Sequence, residues 1–134
     1  MYKAEDIAEY IIQNNIISNL KLQKILYFIQ INFLILKNRK CFVEDIEACD
    51  FGVIIPKIYN KYRVFGASCI PNFNICKSFN LKKKDKKLID LIVNKCSNYS
   101  NGQLSDIIMQ QTPWENAYKN KTYIDVKDIM QFFS

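Results

Sequence analysis

The chain has 134 residues, of which 49% are hydrophobic and 24% charged, with three glycines, three prolines and no histidine. That composition excludes a disordered polymer and is poor in turn residues for an all-strand architecture, so one mainly helical domain spanning 1–134 is expected. Nineteen basic against thirteen acidic residues leave a net charge of +6, which attracts nucleic acid, an acidic protein or an anionic membrane without choosing among them.

The first fifteen residues hold Ala4, Ile7, Ala8 and Ile11 at helical spacing among Glu5, Asp6, Glu9 and Gln13, which predicts an amphipathic helix over 3–13 that Asn14 and Asn15 end. They lack the basic start, apolar middle and small-residue cleavage site of a secretory leader, and a cytoplasmic protein is expected. A second helix is predicted after Ser18, a capping hydroxyl, with Ile17 and Leu22 as a hydrophobic staple. Leu22, Ile25, Leu26, Ile29, Phe33 and Leu36 form one face, and Leu20, Phe28, Ile31 and Leu34 cover much of the rest. A helix apolar nearly all round is surrounded by others, so 19–37 is expected to be the buried centre of a compact bundle. Gln30 and Asn32 interrupt its apolar run, and Lys21, Gln23 and Lys24 flank it, which argues against a membrane span.

A short extended piece or hairpin is expected near 41–51, where Glu44, Asp45, Glu47 and Asp50 read as solvated surface or as ion-pair partners of lysines. The triplet Asp50-Phe51-Gly52 spells the magnesium site of protein kinases, but the phosphate loop and histidine-containing catalytic loop that such a site needs are absent from the sequence. It reads instead as a turn before a helix begun by Pro56 and ended by Gly66. Ile55, Ile58, Tyr59, Tyr62 and Phe65 make the apolar face of that helix, and Lys57, Lys61 and Arg63 project elsewhere.

Residues 67–79 read as an irregular connection. A helix capped by Asn80 should follow, burying Leu81, Leu88, Leu91, Ile92 and Cys96. Its lysine run, Lys82 to Lys87, opposes the helix dipole and either frays this end or serves an anionic partner. Three short helices close the chain. Gly102 to Met109 turns Leu104, Ile107 and Ile108 inward. Thr112 to Glu115 forms a capping box with Pro113 in the first helical position and Trp114 as a core anchor. Asp125 and Asp128 precede Ile129, Phe132 and Phe133. The cysteines Cys41, Cys49, Cys69, Cys76 and Cys96 are odd in number and contain no C-x-x-C pair, which favours buried free thiols over a metal knuckle or disulfide frame. No cofactor, metal site or catalytic set is expected: histidine is absent, and no spacing selects a nucleophile and its base.

Three stretches, ISNLKLQKILYFIQ at 17–30, EACDFGVIIPKIYNKYRVFG at 47–66 and LSDIIMQQTPW at 104–114, together resemble the Panacea domain, the SocA-like family of bacterial and phage antitoxins. Asn19, Leu20, Lys21, Leu22, Gln23, Lys24, Leu26 and Tyr27 carry the resemblance, with Glu47, Ala48, Gly52, Pro56, Tyr59, Pro113 and Trp114. Phe51 to Pro56 fall on a family pattern that usually reads Y-G-P-V-V-P, with Val53 in place of the first Pro, so the kinase spelling is incidental. Ile108 and Met109 stand where the family usually has Thr-His. The resemblance implies a compact helical protein that binds and neutralises a cognate toxin, in some members by delivering it to an ATP-dependent protease.

The contact surface is expected on the helix after Pro56, through Lys57, Tyr59, Lys61, Tyr62 and Arg63, helped by the lysine run. An alternative reading keeps the fold and makes the chain a phage inhibitor of a host defence nuclease, with the basic surface covering an acidic patch or competing for nucleic acid. A nucleic-acid-binding regulator ranks last, because neither a recognition helix nor an aromatic RNA-binding motif is evident in the sequence.

Overall fold

The computed structural model describes residues 1–72 and 80–134. Among these the fold is mainly helical: α1 (Ala4–Asn14), α2 (Asn19–Lys37), a hairpin of β1 (Glu47–Cys49) and β2 (Gly52–Ile54), α3 (Pro56–Tyr62) running into a 3₁₀ turn (Arg63–Phe65), α4 (Lys83–Cys96), α5 (Asn101–Met109), α6 (Thr112–Lys119) and α7 (Val126–Phe132). α2 is the hub, touching α1, α3, α4, α5, α7 and β2.

Local chemistry sets most element ends. Ser18 caps α2 by accepting the Lys21 N–H at 3.4 Å, and Asn38 closes it at φ +53°, a left-handed conformation that asparagine tolerates better than most residues. α5 opens on a reciprocal capping box between Ser100 and Gln103, which satisfies two backbone N–H groups that a helix start leaves unpaired. Asp125 caps α7 through the Lys127 N–H at 2.8 Å.

The hairpin is antiparallel, pairing Glu47 with Ile54, Ala48 with Val53 and Cys49 with Gly52. Its second strand therefore lies beyond the 41–51 segment expected for it, in residues expected to form a turn. Gly52 makes this workable, because its φ of +133° is one that side-chain-bearing residues rarely adopt. Backbone bridges tie the outer segments to this frame: Tyr2 exchanges bonds with Cys41 and Val43, and the Ile124 N–H reaches Ile46 O at 2.8 Å.

Several inward assignments are corrected. Leu36, Leu91 and Ile107 are 65%, 49% and 39% exposed, while Ile89 and Val93 take inward places on α4. Leu91 falls on the exposed, lysine-bearing side of α4, and none of these three exposed residues is fully covered by the other described residues. Asn80 does not cap α4; Lys82 holds that position with no side-chain bond. The capping box expected at Thr112 is absent as well, since Gln111 takes the N-cap position and Thr112 is the first helical residue. Of the thiols, Cys41 and Cys96 are buried, Cys49 is half-buried, and Cys69 is exposed rather than buried. Burial pushes Cys41 up to about 12 and Cys96 up to about 11, so both are inert as nucleophiles near neutral pH. Cys76 and the part of the expected connection at 73–79 lie outside the described residues.

The lysine run holds a residue that periodicity did not single out. Asp85, third in α4, is 1% exposed. Its carboxylate accepts from Arg39 Nη2 at 2.8 and 2.9 Å, from Lys37 Nζ and from Tyr2 OH. It also places a negative charge in the first turn, where the helix dipole favours one. Burial pushes this carboxyl up, but the bonds from Lys37, Tyr2 and Arg39 outweigh that and hold it well below the usual carboxylate range.

Candidate functional site

Polar side chains along one helix arrange the residues around the hairpin. Asn19, Gln23 and Gln30 are buried on α2, and a buried amide must find partners or cost about 1–3 kcal/mol. Asn19 Nδ2 donates to Tyr59 O at 3.0 Å, Gln23 Nε2 to Asn19 Oδ1 at 2.9 Å, and Gln23 Oε1 accepts the Ile55 N–H at 2.9 Å. This relay fixes the start of α3 and the exit of the hairpin. Gln30 does the same for the chain after α2, accepting from Cys41 and Phe42 N–H at 2.8 and 3.2 Å and donating to Phe42 O at 2.9 Å.

The turn that joins the two strands is held from the other side. Asp50 accepts from Tyr118 OH, Phe51 O from Ser105 Oγ at 2.8 Å, and Gly52 O from Trp114 Nε1 at 2.7 Å. Trp114 stacks on Tyr118 with ring centroids 4.5 Å apart. All three residues of the kinase-like triplet are thus anchored by α5 and α6. Of the acidic residues expected at the surface or in ion pairs with lysines, Asp50 is exposed and Glu44 half-buried, and both take neutral donors, Glu44 accepting the Ala4 N–H at 2.8 Å.

Beneath Gly52 lies Lys24, fully buried. Its Nζ donates to Asn101 Oδ1 at 2.6 Å and sits 5.9 Å from the centre of the Phe51 ring. A methyl group at Gly52 would meet Lys24 Cε at 3.2 Å, so the lysine stem and the bare glycine backbone fit each other. Burial lowers the Lys24 ammonium below the ordinary lysine value. Tyr27, also fully buried, donates to Gln111 Oε1 at 2.7 Å.

The positions singled out from the sequence thus divide into two groups. Gln23, Lys24, Tyr27, Gly52, Pro113 and Trp114 are buried, and Lys21, Glu47, Pro56 and Tyr59 are half-buried. All but Lys21, which lies near Cys96, belong to the hairpin and its supports. Asn101, Ser105 and Gln111 complete that frame and were missed, since isolated polar residues carry no periodic signal. Lys57 on α3 and Arg63 at the start of the 3₁₀ turn are exposed and without an ion pair among the described residues. Lys61 is engaged with Glu5 at 2.6 Å and Glu9 at 3.2 Å, bonds that raise its ammonium above the ordinary lysine value, that to Glu5 most of all. Tyr62 is 6% exposed and belongs to the core.

Among the described residues no group of three or more acidic, cysteine or histidine side chains could hold a metal ion, and no helix is long and apolar enough to cross a membrane. Residues 22–115 match the family model described as antitoxin SocA-like, Panacea domain. No curated protein and no solved structure matches the chain.

Proposed function

The chain belongs to the SocA-like antitoxin family, the Panacea domain, and we propose that it works as one domain that binds a cognate toxin directly and blocks it without chemistry of its own. The observation that carries this reading is the inward direction of the family pattern. Trp114 spends its polar atom on the chain's own backbone, Gln23 on backbone and on the Asn19 side chain, and Lys24 and Tyr27 on amide side chains. Residues used this way build a scaffold, and recognition of a partner falls to what the scaffold displays.

The outer surface of α3 and its 3₁₀ extension supports the choice. Lys57 and Arg63 are exposed and Tyr59 is half-buried, one helical turn before Arg63, and arginine and tyrosine are favoured in binding hot spots. Lys61 serves that face indirectly, by tying α3 to α1 through Glu5 and Glu9. Binding there neutralises the toxin by covering its working surface or by delivering it to an ATP-dependent protease, and toxin half-life in cells separates the two routes.

The test is co-expression with the toxin gene beside this one, read as growth and as co-purification. Rescue by the unaltered chain, lost in the double variant K57E/R63E with its thermal melt unchanged, supports the reading. Full rescue by that variant places the contact elsewhere.

A further inference from the structure

A second surface differs in kind from the α3 face. Phe28 of α2, Ile92 of α4, Tyr99 just beyond that helix, and Leu104 and Ile107 of α5 line an open groove of about 220 Å³. Pockets that enclose drug-sized ligands run to about 300–1,000 Å³, so this one suits protruding side chains better than a small molecule. Tyr99 and Ile107 remain 44% and 39% exposed at its mouth.

Its surroundings are cationic. Lys95 lines the groove, and Lys21 is close enough to act on the thiol of Cys96 in its wall. Neither is paired with a carboxylate among the described residues. Asp106, the carboxylate of α5, does not line the groove. Lys84, Lys87, Leu91 and Lys95 are all exposed on α4; their spacing of three, four and four residues draws one stripe about 16 Å long along the helix. Leu91, 49% exposed, thus sits between lysines one turn from the groove.

We propose that this groove and stripe receive an acidic amphipathic helix of the toxin. The apolar side chains of that helix, repeating at three and four residues, enter the groove, and its Asp or Glu residues meet Lys84, Lys87 and Lys95. Helix-in-groove docking supplies anchors from one face of the ligand helix, and the charges speed encounter and set orientation. Single-stranded nucleic acid fits less well, since it needs aromatic platforms for successive bases and Tyr99 is the aromatic exposed at this mouth. The proposal rests on the antitoxin reading and adds a contact separate from α3.

The experiment places a photo-crosslinking amino acid at position 99, and separately at 57, in the full chain co-expressed with the neighbouring toxin. A crosslink from 99 to a toxin segment with acidic residues flanking an apolar helical repeat supports the proposal. So does an at least tenfold loss of that crosslink in K95E and in I107D, with unchanged circular dichroism and melting. Crosslinking from 57 alone, with rescue intact, overturns the groove and leaves the antitoxin reading standing. Crosslinking from 99 to a second copy of the chain or to nucleic acid also overturns it. Absence of rescue and of any crosslink overturns the antitoxin reading, and the groove's assignment falls with it.

Discussion

The indole N–H of Trp114 donates to the carbonyl oxygen of Gly52 at 2.7 Å, joining residues 62 apart in the chain. The bond fixes the first residue of β2 against α6, and the ring stacks on Tyr118, whose hydroxyl holds Asp50. Trp114→Phe keeps an aromatic ring there and removes the donor, leaving a buried carbonyl short of its partner. Stability should fall by about 1–3 kcal/mol, read from urea unfolding followed by far-ultraviolet circular dichroism. An unchanged midpoint would show that the bond contributes nothing net.

Gln23 supports the same hairpin from α2. Gln23→Leu fills the space but orphans the Ile55 N–H and the Asn19 carboxamide oxygen, each of which it now satisfies. A loss of about 2–4 kcal/mol is expected. Gln23→Glu retains an acceptor for Ile55 but buries a carboxylate and turns an oxygen toward Asn19 Oδ1. At pH 7 it should therefore cost at least as much as the leucine change, with a deficit that shrinks as falling pH protonates it, an order that paired denaturation curves can check.

Asp85 makes stability depend on pH in the acid range. Its folded-state carboxyl is held below the usual value, so the unfolded chain binds more protons as pH drops below about 4. The stabilisation is complete above that pH and is lost progressively as pH falls toward the folded-state value. Asp85→Asn should remove about 2–3 kcal/mol at pH 7, because hydrogen bonds to a charged group are lost while Lys37 and Arg39 can still reach water. The gap between variant and parent should narrow below pH 4; a gap of constant size would argue that Asp85 acts through packing alone.

Lys24 acts in the opposite sense. A fully buried ammonium without a carboxylate partner among the described residues costs desolvation free energy. Lys24→Met keeps the stem against Gly52, and stability should stay level or rise by about 1–2 kcal/mol. The folded-state value of Lys24 is lowered, so between it and about 10.4, the ordinary lysine value, the unfolded chain holds the extra proton. The parent therefore gains stability as pH rises through that window and the Met variant does not, so the variant's advantage should shrink with pH. Equal pH profiles for the two proteins would contradict this account.

Much of the frame was legible before any coordinates. α2 declared itself by an apolar surface nearly all round and by the Ser18 cap, and α1 by a clean apolar stripe, because both signals depend on residues within a few turns of one another. The hairpin was legible only in outline. Its second strand, Gly52–Ile54, precedes a helix-starting proline, and three residues are too few for alternation to show. Leu91 and Ile107 carry helical periodicity as strong as their buried neighbours, but periodicity marks a stripe and not its covered width. The α3 face was readable as cationic, yet the division of labour within it was not, since Lys61 finds Glu5 and Glu9 only across 56 and 52 residues.

The sequence by itself determined the helical class, most helix positions and the family, because caps, periods and motif order are local in the chain. Tertiary structure alone decided what the buried polar groups do. The partners of Asp85 lie 46 to 83 residues away, and that of Lys24 lies 77 residues away. A hydrogen bond closed over such a distance leaves no mark on the neighbouring residues, because its geometry exists only once the helices have packed.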